Sequence, residues 1–338
     1  MGFLSGFCFS LEKRGRSTGG GEEVADDGGE TWEFFYELRA LQKATNFFAE
    51  SNLICRAGFG AVYKGLMPNG QMVAVKKHHF NSDQGLIQFT NKVKLLLKVQ
   101  HKNLVPLLGC CAEGHEMILV HEYHPYCILD SILSDKKKLA SLDWPKRFQI
   151  ITGVARGLLY LHEEAPQRII HGDINASNIF LDGQLNPKIA HLGVARFPHC
   201  TDPYGYMAPE YLSIKADVFS FGVLVLEIVS GEKNYNWHGS EAADFLSYAW
   251  MLFQEGRSLD LVDPSLDECD FGEAAMCIQL GLLCCQESAK ERPDMSCVHL
   301  MLSSDSSTLP KPGKPPGGSI IDGNDENSFS FSSMYEGR

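Results

Sequence analysis

The sequence has no apolar run long enough to cross a membrane. A spanning helix needs roughly 18 such residues, and the longest candidate, Val218 to Val229, is interrupted by Ser220 and Glu227 and reads as a buried core helix. Positive charge is also scarce. The 30 Lys and Arg stand against 42 Asp and Glu, a net charge of −12. Neutralising nucleic-acid phosphates needs clustered Lys and Arg, so nucleic acid is excluded as a partner. The one basic run, Lys136-Lys137-Lys138, is short and reads as a solvated turn. Paired cysteine spacing is missing too. There are 11 cysteines, an odd number, with no Cys-x-x-Cys zinc spacing. Two adjacent pairs, Cys110-Cys111 and Cys284-Cys285, lie in apolar stretches and read as free thiols in a reduced interior. No internal repeat is present. No basic segment precedes the apolar stretch Met1 to Ser10, while Lys13, Arg14 and Arg16 follow it, so a cleaved signal peptide is not expected. Gly2 meets one requirement of myristoylation, but Gly6 stands where Ser or Thr is usual. Acylation of Gly2 or Cys8 therefore stands as an alternative to a frayed terminus.

What is present is a hydrophobic content of 44% with 21% charged residues, the balance of a globular protein. Residues 1–33 are expected to be disordered, being Gly-rich and charged beyond residue 10. A helix is expected over Phe34 to Asn46, with Leu38, Leu41 and Ala44 spaced for one face, and residues 34–52 form a helix and linker. Leu53 to Val120 is strand-like, with a hairpin turn at Pro68-Asn69-Gly70 and one helix from Gln84 to Val99. Beyond Ile128 the pattern is helical, most clearly at Arg147–His162, Asp217–Ser230, Ala243–Glu255 and Ala274–Gln286. Residues 303–338 are rich in Ser, Pro and Gly and are expected to be an unstructured tail. A strand-rich lobe (53–124) followed by a helical lobe (125–302) suggests a ligand cleft between the two.

Five blocks occur in order. The first is Ile54-Cys55-Arg56-Ala57-Gly58-Phe59-Gly60-Ala61-Val62-Tyr63-Lys64-Gly65, and the second is Val73-Ala74-Val75-Lys76. Next come Ile170-His171-Gly172-Asp173-Ile174-Asn175-Ala176-Ser177-Asn178 and Lys188-Ile189-Ala190-His191-Leu192-Gly193. Gly205-Tyr206-Met207-Ala208-Pro209-Glu210 follows, with Asp217 and Glu291-Arg292-Pro293 beyond it. One glycine turn alone would say little. The ordered set resembles the protein kinases, specifically plant receptor-like serine/threonine kinases of the cysteine-rich type, from about Leu53 to Leu302. The resemblance implies an α+β, bilobal kinase fold.

It also assigns roles by position. Ile54, Gly58, Gly60, Val62, Ala74 and Lys76 would line the nucleotide site, Lys76 touching the phosphates. Asp173 would take the substrate's hydroxyl proton and Asn178 would hold a metal ion. Glu210 and Arg292 would form a buried ion pair, and Asp217 would brace the catalytic loop. Several positions depart from the pattern. Cys55 and Ala57 replace two glycines, and Cys55 would be strained if that position needs positive φ. Lys92 stands where the Glu partner of Lys76 is expected. Two ammonium groups at about 4 Å repel by roughly 4 kcal/mol at an effective dielectric of 20, so the helix is expected to be displaced or an anion to lie between them. Gly172 replaces an Arg, Asn175 a Lys, and Phe180 a Leu beneath the adenine. His191 replaces the metal-binding Asp. Imidazole is a poor magnesium ligand, leaving three readings for His191: a lost ligand, a structural hydrogen bond, or a softer metal. Pro203 lies where a supporting Thr is usual, in a shortened activation segment.

Losses in the chemistry with the scaffold retained imply a pseudokinase that binds other kinases, receptor-like kinases among them. A weakly active serine/threonine kinase with an atypical metal site is the alternative. Lys92 and His191 add positive charge near the phosphates, so any ATP is expected to bind weakly and without magnesium, and no metal site is expected. A cytoplasmic location follows from the resemblance, at the inner face of the plasma membrane if the N-terminus is acylated.

Overall fold

The computed structural model describes residues 34–57, 60–78, 89, 93, 96–113, 116–123, 128–190, 213–234, 244–304 and 309–316. The chain divides into two compact units. One comprises residues 1–100 and 105–125, the other residues 101–104 and 126–338.

The first unit is a five-stranded antiparallel sheet of β1 (Leu53–Ala57), β2 (Gly60–Leu66), β3 (Met72–His78), β4 (Leu107–Glu113) and β5 (Glu116–Glu122), in the order β1-β2-β3-β5-β4. The expected hairpin joins β2 to β3, with Gly70 at φ +85 in its turn. Period-two alternation puts Val73 and Val75 of β3 on one face, with Ile118 and Val120 of β5. That face is covered by α1 (Leu38–Ala44) through buried Leu41, with Leu38 and Ala44 packed beside it. The helix is shorter than the Phe34–Asn46 read from the sequence. Its first residues are extended instead. The Tyr36 N–H donates to Cys110 O (2.9 Å) and the Cys110 N–H to Phe34 O (2.8 Å), a pairing no local pattern encodes. Of the helix read over Gln84–Val99, Phe89, Val93 and Leu96 are helical and buried, Leu97–Val99 are not helical, and the rest lies outside the described residues.

The second unit contains α2 (Leu129–Leu133), α3 (Lys136–Ala140), α4 (Trp144–Leu159), the β6–β7 hairpin (Ile179–Leu181 and Pro187–Ile189), α5 (Ile214–Ser230), α6 (Phe245–Gln254), α7 (Phe271–Cys284) and α8 (Met295–Ser303). A π turn over Tyr160–Glu164 follows α4. The run 136–138, read from the sequence as a turn, is the start of α3, capped by Asp135. Four helices start the same way. The side chains of Asp143, Asp244, Asp270 and Asp294 accept from the N–H groups of Lys146, Ser247, Glu273 and Cys297. Such caps contribute about 1 kcal/mol each. The core runs through α5, where Val218, Phe221 and Leu224–Val229 are buried, and through α7, where Ile278 and Leu280 are. Cys110, Cys111, Cys284 and Cys285 are free and buried, and burial pushes the thiols of Cys110, Cys111 and Cys284 up to about 12. Among the described residues no helix is long and apolar enough to cross a membrane, and no His/Cys/Asp/Glu group of metal-binding arrangement occurs.

The tail read as unstructured includes Leu309–Pro316. This segment has no helix or strand, yet Pro312 and Pro315 are buried and its backbone is hydrogen-bonded to the end of α7.

Candidate functional site

In the first unit the sheet register decides which candidates share a face. Lys76 on β3 lies opposite Val62 on β2, and Val62 lies opposite Cys55 on β1. Directly opposed residues point the same way. Lys76, Ala74, Val62 and Cys55 therefore occupy one face of the sheet, and Val73 and Val75 the other, core face. Lys77, one residue on, ion-pairs with Glu116 at 2.7 Å and lies 4.9 Å from the Phe48 ring centroid. Ile54 is exposed at a bulge between Leu53 and Cys55. Cys55 is an ordinary strand residue. Positive φ among the described non-glycine residues is confined to Asn46, Phe47, Phe48 and Leu185, so Cys55 brings no backbone strain. Burial pushes its thiol up, and the Lys76 charge partly offsets this. Gly60 has a steric role, because a Cβ there would lie 2.0 Å from Lys77 O.

The second unit holds the loop from His171 to Asn178. Its anchor is Asp217 on α5, only 1% exposed. One carboxylate oxygen accepts from the His171 N–H (2.7 Å) and from His162 Nε2 (2.9 Å), and the other accepts from the Gly172 N–H (2.7 Å). His171 is itself fully buried. Its Nε2 donates to Ala190 O (2.9 Å), and its Nδ1 accepts from the Asp173 N–H (3.2 Å), which fixes the tautomer. Asp173 then meets two carboxamides. Asn175 Nδ2 donates to Oδ1 at 2.8 Å, and Asn178 Nδ2 donates to Oδ2 at 2.8 Å and to the Asp173 carbonyl at 2.7 Å. Asn175 also caps the turn 176–178, its oxygen accepting from the Ser177 N–H. Where the resemblance sets a cation beside the carboxylate, this loop sets a neutral amide.

Sequence reasoning read Asn175 only as a lost Lys and missed its second role. It also missed His162, whose neighbours carry no motif. Phe180 is half-buried in the β6–β7 hairpin, opposite Lys188 and bridged to Ile128. Arg292 is half-buried rather than buried. It donates to the carbonyls of Gln286 (2.8 Å), Lys215 (3.0 Å) and Glu287 (3.3 Å), and stacks 4.8 Å from the Phe219 ring centroid. Gly58, Lys92, His191, Pro203 and Glu210 lie outside the described residues, as does the Ala57 side chain.

Gly172 sits at φ +76, and a Cβ there would meet nothing within 4 Å. Restoring an Arg there is a conformational matter and not a steric one. The variant Gly172→Arg is expected to fold and to lose about 1–2 kcal/mol, the cost of a side chain at positive φ. Thermal melts check this, and a loss above about 4 kcal/mol would contradict it.

Comparison with known proteins bears on the same residues. The profile of the protein tyrosine and serine/threonine kinase family matches residues 49–302. Cysteine-rich receptor-like protein kinase 6 of Arabidopsis thaliana is 47% identical over 92% of this chain and 49% of its own length. Cysteine-rich receptor-like protein kinase 10 of the same plant is 46% identical over 93% and 50%. The G-type lectin S-receptor-like serine/threonine-protein kinase B120, also from Arabidopsis thaliana, is 48% identical over 83% and 35%. The chain thus spans about half, or less, of the length of these relatives. Among solved structures, the pseudokinase domain of BIR2, an immune regulator of the RLK/Pelle family, superposes with a TM-score of 0.64 at 30% identity, covering 79% of this chain and 84% of that one. With strand-rich and helical units in the kinase order and a loop tied to α5 through Asp217, the chain belongs to the protein tyrosine and serine/threonine kinase family, with plant cysteine-rich receptor-like kinases among its relatives.

Proposed function

We propose that this protein is a pseudokinase that regulates or scaffolds other receptor-like kinases. The carrying observation is the pairing of an intact frame with a carboxylate that has neutral amides, and no cation, hydrogen-bonded to it. Asp217 holds the loop by two hydrogen bonds and is itself held by His162, while Asp173 is met by the amides of Asn175 and Asn178. Phosphoryl transfer depends on positioning and charge neutralisation. The frame supplies the first, while the substitutions at 175 and 191 would remove a lysine and a metal ligand from the second, and Lys92 would leave Lys76 without its acidic partner. A pseudokinase neighbour at 30% identity supports the same reading. The kinase relatives suggest partners of their own class. The test is signalling output or partner capture by the full chain with Asp173→Ala. A scaffold retains both, and loss of output in a folded variant would favour the weakly active kinase.

Nucleotide binding follows the same charge argument. By the resemblance, Lys76 and Lys92 would offer the phosphates some of the positive charge that magnesium, without an Asp at 191, would not supply. ATP alone is expected to raise the melting temperature slightly, with no further rise on adding magnesium and no rise in Lys76→Ala. A shift that appears only with magnesium would overturn this.

A further inference from the structure

Within the second unit, Leu309–Pro316 lies against α7 and the turn after it. Pro312 and Pro315 are buried, Leu309 is half-buried, and Lys311 and Lys314 are exposed. The two buried prolines are thus three residues apart, the period of a polyproline II helix, which has no internal hydrogen bonds and offers its backbone to a partner. The end of α7 and the turn after it take up that offer. Gln279 Nε2 donates to the carbonyls of Leu309 (3.1 Å) and Pro310 (2.8 Å). The Glu287 N–H donates to Lys314 O (3.0 Å), and the Gly313 N–H donates to Gln286 Oε1 (2.6 Å).

Gln286 is built for this contact. It is 6% exposed, and its Nε2 donates to the carbonyls of Leu283 (3.1 Å) and Glu291 (2.8 Å). Those two bonds aim its oxygen at the strap. A Cβ on residue 313 would lie 2.8 Å from that oxygen, so a larger residue there would have to shift the Gln286 amide out of its hydrogen bonds. Proline-rich ligands are recognised by burying prolines of a preformed polyproline II segment, and here backbone hydrogen bonds are made beside them.

We propose that the end of α7, with Gln279, Gln286 and Glu287, is a recognition site for proline-rich extended peptides of Pro-Gly-x-Pro spacing, filled in cis by Leu309–Pro316. The rigid prolines reduce the ordering cost of seating the strap. A tethered ligand also has a high effective concentration, so a free peptide competes only once the strap is weakened.

The test uses the full chain and follows exchange of the Glu287 amide, whose acceptor is on the strap. In Pro312→Ala/Pro315→Ala this amide is expected to exchange at least about tenfold faster, with α5 core amides unchanged. A synthetic peptide of residues 309–316, added at millimolar concentration, should restore protection, and the same peptide carrying Gly313→Val should not. If the double variant loses core protection, Gly313→Val in the full chain replaces it, with the same expectation. Equal Glu287 exchange in parent and variant would overturn the proposal, as would failure of the peptide to restore protection or equal action of both peptides.

Discussion

Purified protein given magnesium and ATP is expected to phosphorylate a generic substrate at less than about a thousandth of an active relative's rate, a loss of roughly 4 kcal/mol of transition-state stabilisation. Transfer moves a highly charged phosphoryl group, and the usual neutralising groups are a lysine beside the base, the metal held by an acidic ligand, and the strand lysine with its Glu partner. Here Asn175 replaces the first with an amide 2.8 Å from Asp173. By the resemblance, His191 and Lys92 stand where the acidic residues of the others are expected. The contributions are not additive, so the bound is set below their sum. Restoring Asn175→Lys alone is expected to recover little, because it leaves the metal and strand-lysine terms unsupplied. Ordinary kinase rates from the parent chain, abolished by Asp173→Ala, would refute the prediction.

Arg147→Met is expected to destabilise the protein by about 3–5 kcal/mol, the usual effect of leaving one partner of a buried ion pair alone. Arg147 on α4 is fully buried. Its guanidinium donates to Asp263 (2.6 Å) and to the carbonyls of Leu142 (3.0 Å), Ile228 (3.0 Å) and Leu139 (3.4 Å). It thereby joins the start of α4 to the end of α5 and the chain near 263. Met keeps part of the volume but leaves the Asp263 carboxylate without its cation and takes a donor from the carbonyls of Leu142, Ile228 and Leu139, of which Leu139 keeps the Leu142 N–H. The effect should depend on pH in a defined direction. Burial pushes the Asp263 carboxyl up, but hydrogen bonds from Ser265 and Arg147 more than offset it and hold the group below the usual carboxylate range. A depressed carboxylate contributes stability that is present above its unfolded pKa of about 4 and is lost as pH falls through the folded value. The deficit of Arg147→Met should therefore be full near neutrality and shrink in acid. Denaturant melts at several pH values measure it. Arg147→Met/Asp263→Leu should recover much of the loss, since no charge is then left unpaired. A deficit under about 1 kcal/mol at pH 7, or one that grows in acid, would refute the argument.

Motif order along the chain was enough to name the family, because each block keeps its residue types at fixed spacing. The β2–β3 hairpin was legible for a local reason, a Pro-Asn-Gly turn between alternating strands. So were the long helices, whose apolar stripes recur every three or four residues. Lys76, Asp173, Asn178 and Asp217 were found as positions in motifs. Their partners were not. Asp217 holds a loop 45 residues back, His162 joins it from 55 residues away, and Arg147 reaches Asp263 across 116. Nor could spacing show that Phe34–Tyr36 pair with β4 instead of extending α1. The strap at Leu309–Pro316 was hidden for a related reason. Its Pro and Gly residues form neither helix nor strand, so by local criteria it is a loose tail. Local sequence thus determined which elements form and which family they compose, because periodicity, caps and turns act within a few residues. Tertiary structure alone decided which buried polar groups satisfy one another, because a buried carboxylate, guanidinium or amide must find partners wherever the chain returns to it.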